Sequence, residues 1–256
     1  MKKSIINKTL LGIVLFVILW QVLSLLIGSS SFIFPGPIET VKETLRMLSS
    51  SYVYECIGLT IGRMVLGFII ALALAFIFGV IAGNFEDVEL LLRPTMTVLK
   101  SLPTASIVYL FLVIAGAKLT PLYIVVLIAF PILYESVTSG IKNTPHSVIQ
   151  AGKVDGSSFF DMNLRIRIPL AMPYILVGVA STFALSLKIE IMAEVITGYT
   201  RLGLGSAILA AQRSDPTNMV PIFAYSLIAI VLMLIVDTIT AYIQKHINKG
   251  NIRHNH

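Results

Sequence analysis

Residues 102–133 read LPTASIVYLFLVIAGAKLTPLYIVVLIAFPIL and contain a single charged residue, Lys118. A helix needs about 20 mainly apolar residues to cross the hydrocarbon core of a bilayer, so this run is too long for one crossing. Glycine and proline interrupt helices and lysine prefers water, so the segment 116–121 predicts a hairpin break within the run. The stretch therefore predicts two membrane spans, at approximately 102–117 and 119–141.

Four further apolar segments bring the predicted number of spans to six, the others being approximately 9–27, 64–83, 170–192 and 219–243. The composition agrees, because 56% of the 256 residues are hydrophobic and 12% are charged, against about 25% charged in soluble domains. The run 9–27 is longer than the apolar core of a secretory signal, which predicts an uncleaved first helix. The sequence thus predicts an all-α polytopic membrane protein with one transmembrane domain, whose core is about 50–245.

The positions of lysine and arginine predict the orientation of the chain. With the N-terminus inside, the inner segments hold twelve of the nineteen basic residues and the outer segments hold six, while Lys188 lies within a span. Because basic residues accumulate in cytoplasmic loops, both termini are predicted to be cytoplasmic. The net charge of +6 is explained by this bias, and no basic run interleaved with aromatic residues predicts a nucleic-acid partner.

Two connections are longer than turns. The outer segment 28–63 contains an amphipathic run at 38–48, with Val41, Leu45 and Leu48 on one face, which predicts a helix along the outer membrane surface. The inner connection, 142–169, contains two helix signals. Thr144 and Pro145 are typical of an N-cap and a first helical position, and Gly156 is suited to end that helix.

A second capping signal, Ser158 with Asp161, predicts another short helix in the same connection, which Pro169 is expected to stop. The residues alone leave two interpretations of 142–169 open. It is either a surface built for another protein, or a segment that covers the inner face of the membrane.

The spacing Gln150-Ala151-Gly152-x3-Gly156-x9-Ile166-x-Ile168-Pro169 resembles the EAA loop, E-A-A-x3-G-x9-I-x-L-P, of the membrane-spanning subunits of ABC importers. In that family the first short helix is a coupling helix, which fits a groove on the ATPase subunit. The sequence departs from the pattern at Gln150, where the family has Glu, and at Gly152, where it has Ala. The resemblance implies that the ATPase-coupling residues are Gln150, Ala151, Gly152, Lys153, Asp155 and Gly156.

Four other motifs are similar to the sulfonate, taurine, nitrate and pyrimidine-precursor permeases within this family: Pro35-Gly36-Pro37, Gly62-Arg63, Leu102-Pro103 and Ala193-Glu194. This resemblance covers about residues 34–245. It implies a type I importer permease fold in the bacterial cytoplasmic membrane, and a solute that is an organic or inorganic anion or a pyrimidine or vitamin precursor. It also implies three protein partners: a second permease copy, an ATPase dimer and an extracytoplasmic substrate-binding protein.

The sequence contains no phosphate-binding loop of the type G-x4-G-K-[ST], since Gly152-Lys153 is preceded by Ser147 where the first glycine would stand. ATP and Mg²⁺ are therefore expected on the partner ATPase, and no cofactor, metal site or catalytic residue is predicted in this chain. Cys56 is the single cysteine, which excludes an intrachain disulfide.

Ionisable groups within a span are costly and are functional hypotheses by default. Lys188, Glu190 and Glu194 fall in the fifth span, and the two glutamates are i, i+4 neighbours that repel each other unless another group compensates. Lys188 is a candidate to line the transport pathway and Glu194 to shape an outer gate, whereas interhelical ion pairs are the alternative. Pro103, Thr104 and Ser106, at the start of a span, allow either a lined cavity or close helix packing.

Two other functional classes compete with an importer subunit. A membrane-embedded enzyme would need a nucleophile or metal ligands at membrane depth, but neither H-E-x-x-H nor G-x-S-x-G occurs. An ion-coupled secondary transporter usually contains internal repeats, and the sequence has none that are evident. Both remain weaker than the importer hypothesis.

Overall fold

The structure is a computed structural model that describes residues 2–27, 33–198 and 202–253. These residues form ten α-helices and one π-helical segment. The helices are α1 (Lys2–Ile27), α2 (Pro37–Met47), α3 (Ser51–Asn84), α4 (Glu86–Ser101), α5 (Thr104–Lys142), α6 (His146–Val154), α7 (Phe159–Asp161), α8 (Ile168–Thr197), α9 (Leu204–Ser214) and α10 (Val220–Arg253), with the π-helix at Met162–Arg167 between α7 and α8.

Four continuous helical stretches are long and apolar enough to cross a membrane. They are Ser51–Asn84, Thr104–Lys142, Phe159–Thr197 and Val220–Lys245, and the apolar part of α1, Leu11–Ile27, is a shorter fifth. The all-helical membrane architecture expected from the sequence is confirmed. The predicted boundary at residue 64 is wrong, because α3 already begins at Ser51, where the Ser50 hydroxyl accepts a hydrogen bond from the Tyr52 N–H at 3.3 Å.

Helix α5 reverses its direction at Gly116, as the hairpin signal predicted. Gly116 has φ 71° and ψ 161°, outside the helical region, and a positive φ is favourable only for glycine. The rings of Phe111 and Tyr123 are consequently 6.0 Å apart, although twelve residues of straight helix would separate them by about 18 Å. The first arm of α5 (104–115) thus lies antiparallel to its second arm (117–142).

Two helices, α4 and the first arm of α5, connect α3 to the bend at Gly116. Helix α4 runs along the second arm of α5, since Glu89 forms an ion pair with Lys142 and Lys100 forms one with Glu135. The chain then breaks at Leu102 and Pro103, both extended, before the first arm of α5 continues. The predicted span at 102–117 corresponds to the first arm of α5, which follows α4 after this break.

The core of the bundle consists of α3, α5 and α8. Helix α3 approaches α5 closely through glycines, because a Cβ at Gly79 would lie 2.7 Å from Val137 Cβ and one at Gly83 would lie 2.6 Å from Ile141 Cβ. On another face, the rings of Phe68 and Phe183 meet edge to face at 5.1 Å and join α3 to α8. Small residues therefore set the distance between the central helices.

The ends of these helices define two sides of the molecule. The loop side carries the end of α3 at Asn84, the end of α5 at Lys142 and the connection 142–169; the opposite side carries α2, the bend at Gly116 and α9. Helix α2 packs on α10 through Thr40 and Thr44, while Ile38 and Leu45 are 76% and 62% exposed. Its apolar stripe points away from the protein, as suits a helix that lies against lipid.

Candidate functional site

Helix α6 is attached to the loop side of the bundle and keeps most of its surface uncovered. Gln150, Ala151 and Lys153 are exposed, as are Asp155 and Gly156 directly after the helix. Val154, an apolar residue, is 87% exposed. Of the six residues that the resemblance assigned to coupling, Gly152 alone is buried. Helix α6 thus presents a mixed polar and apolar face that no other part of the described chain covers.

Gly152 is the point of contact between α6 and the π-helix. A Cβ at this position would lie 2.7 Å from Met162 Cε and 3.1 Å from Ile166 Cδ1. The missing side chain therefore allows α6 to lie directly on these two residues. An alanine here, as in the family pattern, would require only the flexible end of Met162 to move.

Helix α6 ends in a Schellman motif built on Gly156. The Ser157 N–H donates to the Gly152 carbonyl at 2.9 Å and the Gly156 N–H donates to the Lys153 carbonyl at 3.1 Å. Gly156 has φ +74° and open space around the position of a Cβ. Its glycine is required by the backbone conformation and not by packing.

Of the two N-caps predicted in the connection, the structure contains the one at Ser158 but not the one at Thr144. Ser158 caps the next helix as predicted, because its hydroxyl accepts from the Asp161 N–H at 3.2 Å. The prediction for Thr144 is wrong, since α6 begins at His146 and the Thr144 hydroxyl is buried without a partner among the described residues. The Pro145 carbonyl accepts from the N–H groups of Val148 and Ile149, so the proline itself takes the N-cap position.

The expected helix stop at Pro169 is also wrong. A continuous 39-residue helical stretch runs from Phe159 to Thr197, and Pro169 lies in the first turn of α8. Pro169 lies two residues after the π-helical segment Met162–Arg167, where the ladder of i→i−4 hydrogen bonds is already interrupted, so the missing proline N–H costs less than in a regular helix. The second part of the connection, 159–167, thus continues directly into α8. Helix α6 lies against this part through Gly152.

A polar network that the sequence did not predict fastens this extension to α3. The Asn84 amide donates to Asn163 Oδ1 at 2.7 Å, and Arg167 donates to Asn84 Oδ1 at 2.5 Å. The rings of Phe85 and Phe159 stack at 5.7 Å beside it. A displacement of α6 would therefore be transmitted to α3 and α8 together.

On the opposite side, Glu194 forms the centre of a buried cluster. Its carboxylate accepts from the Thr60 hydroxyl at 2.9 and 3.0 Å, from Arg63 Nη1 at 3.1 Å and from the Gly205 N–H at 2.9 Å. Glu194 is 0% exposed, whereas the Arg63 side chain retains 21% exposure. Both carboxylate oxygens are thus satisfied in a position where an unpaired charge would be very costly.

The same cluster holds α9 and the segment before it. Thr60 accepts from the Leu204 N–H at 2.8 Å, and Arg63 donates to the Leu202 carbonyl at 3.1 Å. Three helices, α3, α8 and α9, meet at these residues. We call Thr60, Arg63, Glu194 and Gly205 the Glu194 clasp.

Two glycines allow α9 to approach the clasp. A Cβ at Gly203 would lie 2.6 Å from Glu194 Oε1, and one at Gly205 would lie 2.3 Å from the Ile191 carbonyl oxygen. The latter contact is with backbone, which cannot move as the end of a side chain can. The glycines at 203 and 205 thus allow the close contact between α9 and α8.

Glu190 lies one helical turn from Glu194 and has a different environment. It is also 0% exposed, but neither of its carboxylate oxygens has a hydrogen-bond partner among the described residues. Arg63 and Glu194 are the charged groups that act on it electrostatically. Glu194 therefore has hydrogen-bond donors that offset its repulsion from Glu190. Glu190 has no such donor among the described residues.

Lys188 lies beside α10, where its Nζ is 3.4 Å from Asp237 Oδ2. Both side chains are about half exposed, at 49% and 42%. Lys188 therefore lies apart from the buried glutamates and has an anionic neighbour on another helix. Its role in the pathway stays a prediction.

Pro103, Thr104 and Ser106 lie at the break between α4 and α5. Pro103 and Ser106 are exposed and Thr104 is half-buried. Pro103 ends α4 and precedes the first arm of α5 with an extended backbone, φ −64° and ψ 112°. Their role in lining a pathway likewise stays a prediction.

Arg63, Thr60, Asn84 and Asn163 are the functional candidates that the sequence analysis missed. Arg63 was assigned to an outer connection because the span was placed too late. A usable signal existed, since residues 51–63 contain no proline and only two isolated glycines and could continue the helix. No comparable signal predicted that Asn84 would meet Asn163.

A family model, curated relatives and solved structures all relate this chain to membrane subunits of transport systems. The family model described as "Binding-protein-dependent transport system inner membrane component" matches residues 75–249, which is more than half of the chain. The chain is similar to the putative aliphatic sulfonates transport permease protein SsuC of Bacillus subtilis, at 24% identity over 243 residues, covering 94% of this chain and 87% of the relative.

Two further similarities concern a relative and a fold. The bicarbonate transport system permease protein CmpB of Synechocystis is 26% identical over 264 aligned positions, covering 97% of this chain and 91% of the relative. A chain of the crystal structure of an amino acid ABC transporter with histidines superposes with a TM-score of 0.64 at 17% identity, covering 79% of this chain and 98% of that one. The latter likeness concerns the fold alone.

Proposed function

Because this chain belongs to the family of binding-protein-dependent transport system inner membrane components and is a permease subunit of an ABC importer, we propose that it carries a small anionic solute into the cell. Two copies of the chain enclose the pathway and alternate between outward and inward access. The loop side faces the cytoplasm of a bacterial cell, with both termini on that side. ATP and Mg²⁺ bind to a partner ATPase dimer, and an extracytoplasmic binding protein delivers the solute on the opposite side.

The relatives support an anion as the solute. SsuC is named for aliphatic sulfonates and CmpB for bicarbonate, and both solutes carry negative charge at neutral pH. Among the classes left open by the sequence, we therefore favour a small organic or inorganic anion over a pyrimidine or vitamin precursor.

The observation that carries the coupling part of this proposal is the state of α6. Its outer face is uncovered, with Val154 87% exposed, while its base is fixed by Gly152 against Met162 and Ile166. Val154 is one of three strongly exposed apolar residues of the connection, with Phe160 and Leu164 at 73% and 65%, and an exposed apolar surface supports a protein interface. The network of Asn84, Asn163 and Arg167 then passes movement of α6 to two spans at once.

The opposite side supports a gate held by Glu194. The Glu194 clasp joins α9 to α3 and α8 through hydrogen bonds of 2.8 to 3.1 Å. We infer that α9 closes the outer end of the pathway while the clasp is intact. A change in the distance between α3 and α8 would release it.

The test uses the full transporter, with its ATPase and binding protein, in proteoliposomes. Val154→Asp places a charge in the proposed interface and is expected to abolish ATP-driven uptake of an aliphatic sulfonate. Val154→Thr keeps the shape of the side chain and is expected to retain most of the uptake. Because Val154 is almost fully exposed, neither variant should affect folding.

Three results would contradict the proposal. Uptake that proceeds without ATP would favour a secondary transporter. Equal uptake by the Val154→Asp and Val154→Thr variants would remove α6 from the coupling surface. Uptake of a neutral pyrimidine in place of the sulfonate would overturn the assignment of an anion.

A further inference from the structure

A polar groove lies on the loop side between α4 and the second arm of α5. Its cavity measures about 390 Å³. Five ionisable residues line it, namely Glu89, Arg93, Lys100, Glu135 and Lys142. None of them belongs to the residues that the sequence proposed for coupling or for the pathway, so the groove is a separate feature of the molecule.

The groove extends into the depth of the bundle. Glu135 precedes Lys142 by seven residues in the second arm of α5, which corresponds to about 10 Å along the helix. Glu135 and its partner Lys100 have side chains that are 63% and 34% exposed on this chain. Exposed charges at this depth are not stable against lipid, so the groove must face water or another protein.

The charges in the groove are unequal in number. Glu89 pairs with Lys142 at 2.5 Å and with Arg93 at 3.3 Å, and Glu135 pairs with Lys100. Three cations therefore stand against two carboxylates. Arg93 and Lys142 contact different oxygens of the Glu89 carboxylate, Oε1 and Oε2 respectively, and the Arg93 guanidinium has more donors than its one contacted oxygen can satisfy.

A buried hydroxyl group lies at the wall of the same groove. Tyr134 is 5% exposed and lines the cavity. Its hydroxyl interacts with the Thr138 side chain one turn along α5 but makes no hydrogen bond of ordinary length among the described residues. Buried polar groups are normally paired, so one without an ordinary hydrogen bond at a cavity wall indicates a missing partner. A hydroxyl donor beside an excess of positive charge suits an anionic oxygen.

We propose that the α4–α5 groove is a binding site for a small oxyanion, such as a sulfonate or carboxylate, on the loop side of the permease. The proposal rests on the proposed function, because it makes this groove the place that the transported solute occupies before it leaves toward the cytoplasm. Arg93 and Lys100 attract the anion, and Tyr134 donates a hydrogen bond to it. Pro103 follows Lys100 by three residues, so one end of the groove lies close to the break between α4 and α5.

The first test measures access to the groove in the assembled transporter. Cys56 is the single cysteine and is buried, so the Cys56→Ser background permits new cysteines to be labelled selectively. Ser139→Cys lies in the groove, and Leu234→Cys, at a 59% exposed apolar position of α10, is the lipid-facing control. A hydrophilic, membrane-impermeant maleimide is added to vesicles whose loop side faces outward, without ATP.

The Ser139→Cys variant is expected to react at least tenfold faster than the Leu234→Cys variant. Methanesulfonate at millimolar concentration should slow the reaction several-fold, whereas choline should leave it unchanged. Equal rates at the two positions would overturn the inference that the groove faces water. Absence of protection by methanesulfonate, or equal protection by choline, would overturn the anion site.

The second test removes a single hydrogen-bond donor. Tyr134→Phe deletes a hydroxyl that makes no hydrogen bond of ordinary length within the described chain, so folding should be preserved. The half-protecting concentration of methanesulfonate is expected to rise about tenfold in this variant. Tyr109→Phe, which alters a 59% exposed tyrosine of the same helix, should leave it unchanged; equal values for the two variants would contradict the role of Tyr134.

The groove and the proposed function can fail independently. Protection is measured without ATP and without the binding protein, whereas the function is tested by ATP-driven uptake. Protection without ATP-dependent uptake would reject the importer cycle and keep the site. Uptake without protection would keep the importer and reject the site.

Discussion

The Glu194 clasp and the connection 142–169 lie at opposite ends of α8 and are organised in opposite ways. In the clasp, a fully buried carboxylate receives donors from α3 and from the start of α9. In the connection, Val154, Phe160 and Leu164 are 87%, 73% and 65% exposed. At the clasp, the chain itself supplies the hydrogen-bond partners of the buried carboxylate. At the connection, apolar side chains stay exposed on the described chain.

This difference predicts that substitutions in the two regions affect different properties, namely the stability of the fold and the coupling of transport to ATP hydrolysis. Substitutions in the clasp remove interactions that the folded chain already makes, so they should lower its free energy of unfolding. Side-chain substitutions on the exposed face of the connection remove no contact that the isolated chain makes, so they should act mainly on transport. Two variants in the clasp and one in the connection test this separation, and a fourth, at Lys188, lies outside both regions. They follow in order of decreasing effect on stability.

The largest effect is expected for Glu194→Ala. The variant leaves Arg63 and the Gly205 N–H without their partner in a buried position, and removing one member of a buried ion pair typically costs about 3–5 kcal/mol. Since Arg63 is 21% exposed, we expect the lower end, about 3 kcal/mol. Thermal unfolding in detergent measures it.

Glu190→Ala is the matched control for this variant. It removes a buried carboxylate of equal size that has no partner among the described residues, so stability should be unchanged or slightly higher. If both variants lost the same stability, the hydrogen bonds of the clasp would not be the cause.

The next effect is expected for Gly205→Ala. The added methyl group would lie 2.3 Å from the Ile191 carbonyl oxygen, and relieving such an overlap by backbone movement costs about 1–3 kcal/mol. Gly62→Ala in α3 meets no atom within 4 Å and should be neutral or stabilising. A Gly205→Ala variant that unfolds together with the Gly62→Ala variant would show that α9 is not held closely.

Gly156→Val should have a smaller effect on stability and a larger one on coupling. Nothing surrounds the position, so the cost is the strain of a positive φ in a β-branched residue, about 1–2 kcal/mol. We expect binding-protein-stimulated ATP hydrolysis to continue while uptake falls at least tenfold. Gly156→Asn, which tolerates this conformation better, should keep most of the uptake. Normal coupling in the valine variant would remove Gly156 from the coupling function.

The smallest effect on stability is expected for Lys188→Ala. Its ion pair with Asp237 is half exposed at both ends, and such pairs contribute about 0–1 kcal/mol. If Lys188 attracts the solute, uptake of an anion should fall in this variant and be retained in Asp237→Asn. Equal uptake by the two variants would favour a structural ion pair between α8 and α10.

The sequence predicted those parts of the fold that depend on neighbouring residues. The reversal at Gly116 and the cap at Ser158 both follow from local chemistry, and both are present. The signals at Thr144 and Pro169 were equally local, but packing of the whole connection against α3 and α8 overrode them. Local propensity is decisive only where no tertiary contact opposes it.

The clasp could not be predicted, because its members are far apart in the chain. Thr60 and Arg63 are separated from Glu194 by 134 and 131 residues. The same holds for the loop-side network, in which Asn84 and Asn163 are 79 residues apart. The sequence does indicate that Glu194 needs compensation, since Glu190 is one turn away. It does not indicate that Glu194 receives its donors from Thr60 and Arg63 while Glu190 receives none.

The π-helical segment at Met162–Arg167 has a mechanical consequence. A π-turn holds one more residue between hydrogen-bonded partners than an α-turn does. Conversion of this segment to α-helix would rotate everything before it by about 100° about the axis of α8 and shift it by about 1.5 Å. Such a conversion would couple an axial shift of the connection to a rotation of α6 relative to the membrane spans.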